Sequence, residues 1–249
     1  MLISHPRGHY QFYPGIDPYS CGVVADPGFE IVHVTLRKLL PWREGFERVR
    51  RYLDLAGLDE FALCAMELRS PAPFTMRGFI EFNRDYCGVL QDWGLYVDGL
   101  NPIARTNVAP VIDPPMTPSL LAFSYTRAAA TLAWQSFVVA GAGELRDGTL
   151  EPERIIRSGE TTSEAMMEKA AYVMQVMKQR LKSLNGYWNL VTAVNVYTAH
   201  PIKSLFETTF VPQMEGISNR AVLWLSARPP ILDIEFEMDL RGVRSEEFD

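Results

Sequence analysis

The chain has 249 residues, of which 47% are hydrophobic and 22% are charged. This composition is ordinary for a globular protein with a real core, and the length suits one large domain or two of roughly 120 residues. The net charge of −6 argues against a nucleic-acid partner, because phosphate binding needs a basic face. It still allows a small anion to be held by one or two arginines.

The sequence lacks the patterns of secretion, membrane insertion and metal binding. Apolar stretches such as FVVAGAG are far shorter than the ~20 residues of a membrane-spanning helix, and the N-terminus has no basic-then-apolar signal pattern. Cys21, Cys64 and Cys87 are scattered without a CxxC pair, and the four histidines are not at metal-ligand spacing. We therefore expect a cytoplasmic protein with no metal, no organic cofactor, no membrane partner and no nucleic-acid partner.

The first half alternates between predicted strands and helices. The first 28 residues, rich in Pro, Gly and Tyr, are predicted as loop with room for one short edge strand. Stretches 29–36 and 60–69 are predicted strands, and 43–58 and 76–93 are predicted helices because their apolar residues recur every three or four positions. NPIARTNV then leads into a short strand, a proline-rich connection and the strand SLLAFSYTRA.

The second half repeats this order. It begins with a predicted strand at 136–145 and an amphipathic helix at 163–186, for which Ser163 is the predicted N-cap. The later predictions are a strand, a weaker helix and two closing strands, at 190–199, 204–214, 220–227 and 230–240.

The repeated order predicts two copies of one small α+β domain, over residues 1–128 and 129–249. LAGLDEFALCAMELRSP and LNGYWNLVTAVNVYTAHP align the helix stop, loop and strand almost without a gap. The connection at 126–135 has no linker composition, so we expect the two domains to pack tightly against each other.

Several of these segments together resemble the RidA/YjgF family of imine deaminases. In the first half they are GIDPYSCGVV, the helix ending in LAGL and the P-x-A-R pattern of NPIARTNV; in the second half they are FVVAGAG, NVYTAH and SNRAVLWLSARPPILDIEFEM. The resemblance implies two tandem chorismate-mutase-like domains, each a mixed sheet with two helices on one face. It also implies a homo-oligomer, with a trimer favoured, and ligand sites between neighbouring domains.

The resemblance also implies site residues. The family's essential arginine, which binds the substrate carboxylate, falls on Arg105 and Arg220, and its tyrosine falls on Tyr19. Its water-activating glutamate lies fifteen residues after the arginine, which gives Glu235 as the catalytic residue in the second half. The first half has Ser124 near that place and no carboxylate, and the second half has no matching tyrosine, so neither half carries a complete set.

These residues predict a cofactor-free deaminase or hydrolase of a small carboxylate-bearing imine or enamine. A guanidinium can bind the carboxylate through two charge-assisted hydrogen bonds, and a partly desolvated carboxylate can activate water. Two alternatives stay open for the same fold. One is a pathway enzyme on a larger acid, either an aminomuconate-type deaminase or a chorismate-type hydrolase. The other is a non-catalytic protein that binds small carboxylates.

Each site residue also has a structural alternative. Arg105 could stack on an aromatic ring or pair with a carboxylate in the stretch 93–98, and Arg220 could form an ion pair with Glu235 or Asp233. If the acidic stretch 233–239 alternates as a strand, its four carboxylates share one face. Such a face is more typical of a solvated surface than of a catalytic site.

Overall fold

The computed structural model describes residues 1–130, 133–146, 151–201, 207, 214 and 222–249. The helices within these ranges are α1 (Trp42–Leu55), α2 (Met76–Asp92) and α3 (Ser163–Ser183). The strands are β1 (Ile3–Ser4), β2 (Tyr10–Tyr13), β3 (Gly22–Ala25), β4 (Phe29–Pro41), β5 (Leu63–Arg69), β6 (Ala104–Pro110), β7 (Ser119–Ala128), β8 (Phe137–Gly143), β9 (Ala193–Tyr197), β10 (Val222–Leu225), β11 (Ala227–Arg228), β12 (Glu237–Gly242) and β13 (Ser245–Phe248).

The strands form two mixed sheets whose central parts have the same topology. One sheet has the order β11-β6-β5-β7-β4-β13 and the other the order β1-β2-β3-β8-β12-β9-β10. In the first, β5 is parallel to β6, and β7 is antiparallel to both β5 and β4. In the second, β9 is parallel to β10, and β12 is antiparallel to both β9 and β8. The central strands β6-β5-β7-β4 and β10-β9-β12-β8 therefore match in order and direction.

Strand pairing crosses the boundary expected between residues 128 and 129. β3 pairs with β8 of the second half, whereas β13 and β11 pair with β4 and β6 of the first half. The prediction of loop with one short edge strand for the N-terminal segment is wrong in part, because three strands, β1, β2 and β3, form a meander there. Their inward side chains, such as Tyr10, Phe12 and Val23, are buried between the sheets.

The three largest apolar clusters among the described residues hold the layers together. The cluster between the two sheets includes Tyr10, Phe12, Ile31 and Ala104. α1 and α2 pack on the outer face of the six-stranded sheet, and the methionines of α3 pack on the outer face of the seven-stranded sheet, as core filler. β6, which lies next to the short edge strand β11 of one sheet, is in contact with β8 of the other sheet.

The predicted helices at 43–58, 76–93 and 163–186 are confirmed, with a correction at the start of α3. The N-cap is Thr162 and not Ser163, because the Thr162 hydroxyl accepts the backbone N–H of Ala165 at 3.2 Å. The weaker helix predicted at 204–214 lies almost entirely outside the described residues. No helix in the described part of the chain is long and apolar enough to cross a membrane.

Candidate active site

Arg105 on β6 is buried, with 3% of its surface exposed. Its Nη1 donates to Oδ1 of Asn83 on α2 at 2.7 Å, and its guanidinium carbon lies 4.6 Å from the ring centroid of Tyr86 and 5.2 Å from that of Tyr19. The alternative partners in the stretch 93–98 are not among these contacts. Within the described ranges, Nε has no hydrogen-bond partner and no ion pair involves this residue, so its charge is available to an anion.

A cavity of about 420 Å³ lies beside Arg105, where the edge of the six-stranded sheet meets the other sheet. Its lining comes from both halves of the sequence, with Tyr19, Phe79, Arg105 and Asn107 from the first half and Gly141, Arg146, Arg180, Ile234 and Glu237 from the second. Arg180 on α3 is fixed there because its Nη1 donates to the carbonyls of Ala140 and Gly141, at 3.1 Å each.

The Glu237 side chain lies close against β8. A Cβ atom at Gly141 would stand 2.3 Å from Oε1 of Glu237 and 3.2 Å from the side chain of Thr106. Since real Cβ atoms do not approach other atoms so closely, only glycine at position 141 allows the carboxyl to occupy this place. The backbone N–H of Gly141 donates to the Thr106 hydroxyl at 3.1 Å, which ties β8 to β6 beside the cavity.

The carboxyl of Glu237 is buried, with 5% of the residue exposed. This burial raises its pKa well above the ordinary value, and the charges of Asp239 and Glu144 act in the same direction. Arg180 and Arg105 act in the opposite direction. The raised pKa favours the protonated form of Glu237, which is the form required of a general acid.

A buried ion pair holds the backbone that leads into Glu237. Nζ of Lys169 on α3 lies 3.0 Å from Oε1 of Glu144, and both side chains are 0% exposed. The same carboxylate accepts the backbone N–H groups of Glu235 at 2.6 Å and Phe236 at 2.9 Å. α3 therefore helps to fix the position of the segment that leads into Glu237 as well as supplying Arg180.

The structure brings two of the sequence-predicted site residues together and places a third elsewhere. Arg105 and Tyr19 line the same cavity. Glu235 is not among the lining residues, and its Oε2 lies 2.9 Å from Nε2 of His200. Arg220 lies outside the described residues. The carboxyl that does line the cavity belongs to Glu237.

The expectation of a solvated acidic face over 233–239 is wrong. Asp233 has a φ of 71°, so the chain turns there and β12 begins only at Glu237. Glu237 and Asp239 are each 5% exposed, because their face of β12 packs against the other sheet and not against water. Their alternation was visible in the sequence, but Arg180 carried no sequence signal that distinguished it from other helix residues.

Within the described ranges, no group of three or more His, Cys, Asp or Glu side chains could hold a metal ion. Within these ranges, the cavity is lined by the buried guanidinium of Arg105, by a carboxyl whose pKa is raised and by further cations at Arg146 and Arg180.

The fold belongs to a known class of α+β proteins. A crystal structure of a chorismatase is similar to this chain, with a TM-score of 0.50 and 12% identity, over 92% of this chain and 79% of that chain. At this identity the likeness concerns the fold alone. The crystal structure of the YjgF gene product of E. coli also matches, with a TM-score of 0.31 and 12% identity. This match covers 47% of the present chain and 87% of the YjgF chain.

The family model for 2-aminomuconate deaminase CnbZ matches residues 2–247. The 2-amino-5-chloromuconate deaminase of Comamonas testosteroni is 39% identical over 243 residues, which are 97% of this chain and 96% of that protein. The chain therefore belongs to the 2-aminomuconate deaminase CnbZ family. This supports the predicted deaminase of a carboxylate substrate, and among the alternatives it favours the aminomuconate type.

Proposed function

We propose that this protein hydrolyses 2-aminomuconate or a close derivative, a conjugated enamine with a carboxylate at each end, and releases ammonia. The observation that carries the proposal is that one cavity of about 420 Å³ is lined by the Arg105 guanidinium and by the Glu237 carboxyl, which come from opposite halves of the chain. The relative that is 39% identical is named for deaminating the 5-chloro form of this compound.

The charges of the cavity suit a substrate with two carboxylates. Its lining contains Arg105, Arg146 and Arg180, and Glu237 is the one acidic residue among the lining residues described. With Glu237 protonated, the site is strongly positive and attracts a dianion. In the proposal, Arg105 binds the carboxylate next to the amino-bearing carbon, and the surrounding tyrosine rings exclude water and strengthen this pairing.

In the proposed reaction, Glu237 acts first as a proton donor and then as a proton acceptor. In its neutral form it donates a proton to the carbon next to the amino-bearing carbon, so that the C=C electron pair forms the new C–H bond and the enamine becomes an iminium ion. The resulting carboxylate then accepts a proton from water while the water oxygen attacks the iminium carbon, which gives a neutral carbinolamine. The hydroxyl proton of the carbinolamine passes to nitrogen as the C–N bond breaks, giving ammonia and the 2-oxo acid or, after tautomerisation, its enol, with one water consumed.

This proposal assigns the catalytic role to Glu237 in place of Glu235. It also treats the two halves as copies of one module, supported by the shared order and direction of β6-β5-β7-β4 and β10-β9-β12-β8. One copy then supplies the guanidinium and the other supplies the carboxyl. Tyr19 stays a proposed binding residue and Arg220 the proposed guanidinium of the second copy. Assembly as a trimer and a cytoplasmic location also stay predictions.

Ammonia release from freshly generated 2-aminomuconate tests the proposal. We expect turnover by the wild type and a loss of about 100-fold in kcat/KM for Arg105→Ala, because a charge-assisted contact to the substrate disappears. Arg105→Lys should recover little of this loss, since an ammonium cannot make the two-pronged pairing. No release by the wild type, or equal rates in the wild type and Arg105→Ala, would refute it.

A further inference from the structure

A second unsatisfied donor lies two residues beyond Arg105 on β6. Asn107 is 3% exposed and lines the cavity. The hydroxyl of Ser70 donates to its Oδ1 at 3.0 Å, whereas its Nδ2 has no hydrogen-bond partner in the part of the chain that the structure describes. A buried amide N–H without a partner costs free energy. Its presence in the wall of a ligand cavity indicates a ligand acceptor.

Arg105 and Asn107 face the cavity from the same side of β6, but different neighbouring residues hold their side chains. Side chains alternate along β6, so Arg105 and Asn107 share a face and Thr106 lies on the other, towards Gly141. Asn83 on α2 holds the Arg105 guanidinium, whereas Ser70, just after β5, holds the Asn107 amide. Their Cα atoms are roughly 7 Å apart along the strand. This arrangement suits two separate acceptor groups better than the two oxygens of one carboxylate.

We propose that Nδ2 of Asn107 donates to an oxygen of the second carboxylate of the substrate, so that Asn107 selects dicarboxylates over monocarboxylates. The inference rests on the proposed function, which places the first carboxylate at Arg105, and deepens it by naming a specificity-determining residue. A monocarboxylate leaves the buried amide unpaired. Sites built to hydrogen-bond a ligand group reject analogues that lack this group for that reason.

Equilibrium binding of two non-reactive probes tests this inference without requiring turnover. trans,trans-Muconate and sorbate share the same conjugated chain, but sorbate has a methyl group in place of the second carboxylate. By isothermal titration calorimetry, the wild type should prefer muconate. Asn107→Leu should weaken muconate binding by about 10- to 100-fold, as expected for a lost hydrogen bond to a charged group. Sorbate binding should change by less than about threefold.

Asn195→Leu is the matched control, since Asn195 is also buried but its Nδ2 donates to Asp239 at 2.8 Å, away from the cavity lining. It should leave the muconate-to-sorbate preference unchanged. If Asn107→Leu does not fold, Asn107→Asp replaces it. We expect this variant to lose more affinity for muconate, because the new carboxylate repels the second carboxylate of the ligand. An equal effect on both probes, or none on muconate, overturns the inference. Failure of the proposed function shows separately, as absent ammonia release by the wild type.

Discussion

Glu237 and Asp239 occupy alternate positions on the same face of β12, yet their surroundings differ. Asp239 accepts hydrogen bonds from Nδ2 of Asn195 and from the hydroxyl of Tyr197, at 2.8 Å each. Glu237 instead lines the same cavity as Arg105. The carboxyl of Asp239 therefore belongs to the packing between the sheets, and that of Glu237 is the one placed to meet a ligand.

The buried Asp239 should make folding stability depend on pH. Burial and the charge of Glu67 raise its pKa from the ordinary value of 3.8 to about 6. Because the folded-state pKa lies above the unfolded one, its contribution to stability is complete below 3.8 and is lost as the pH rises through about 6. Urea unfolding from about pH 4 to about pH 7 should show the wild type losing stability relative to Asp239→Asn. A pH-independent difference would contradict this assignment.

At the scale of elements, β8 leaves room for the Glu237 carboxyl at Gly141. Gly141→Ala should displace Glu237, because the added Cβ would stand 2.3 Å from its Oε1. We expect kcat/KM to fall by at least about 10-fold, at a cost of about 1–3 kcal/mol in stability. Gly88→Ala on α2 is the control, because nothing lies within 4 Å of that Cβ position. Gly88→Ala should keep full activity, and its free energy of unfolding should rise by about 0.5–1 kcal/mol. Unchanged activity in Gly141→Ala would refute the packing argument.

α3 contributes the buried Lys169 to the ion pair with Glu144. Lys169→Met should cost about 3–5 kcal/mol in the free energy of unfolding, because it leaves a buried carboxylate without its counter-charge. The double variant Lys169→Met/Glu144→Leu should recover only part of this loss, since the backbone N–H groups of Glu235 and Phe236 then lose their acceptor. Chemical denaturation measures both. A loss below about 1 kcal/mol for Lys169→Met would mean that the charge is compensated elsewhere.

Local patterns in the sequence were sufficient to locate the helices but not to predict how distant strands pair. The three- and four-residue spacing of apolar residues located α1, α2 and α3, because that periodicity is a property of each segment alone. The pairing of β3 with β8 joins segments more than a hundred residues apart in the chain, so no local pattern could reveal it. The count of fifteen residues from Arg220 to Glu235 comes from the resemblance to the family, and no local pattern could reveal that the chain turns at Asp233 and that β12 begins only at Glu237.

At the scale of the whole molecule, the two halves depend on each other. β3 extends the sheet of the second half, and β13 extends that of the first half. The cavity lies where these sheets meet, with Arg105 and Tyr19 from one half and Glu237 from the other. Under the proposed function, each half contributes different residues to this one site, so neither half of the sequence needs to carry a complete set.

The most direct test of this composite site is a side-by-side measurement of kcat/KM for Glu237→Gln and Glu235→Gln with 2-aminomuconate. Both changes remove one carboxylate with little change in shape, and the two positions are separated by a single residue. We predict a loss of about 100-fold or more for Glu237→Gln, as for a missing general acid–base, and a change of less than about threefold for Glu235→Gln. Loss of activity in Glu235→Gln with activity kept in Glu237→Gln would contradict the assignment.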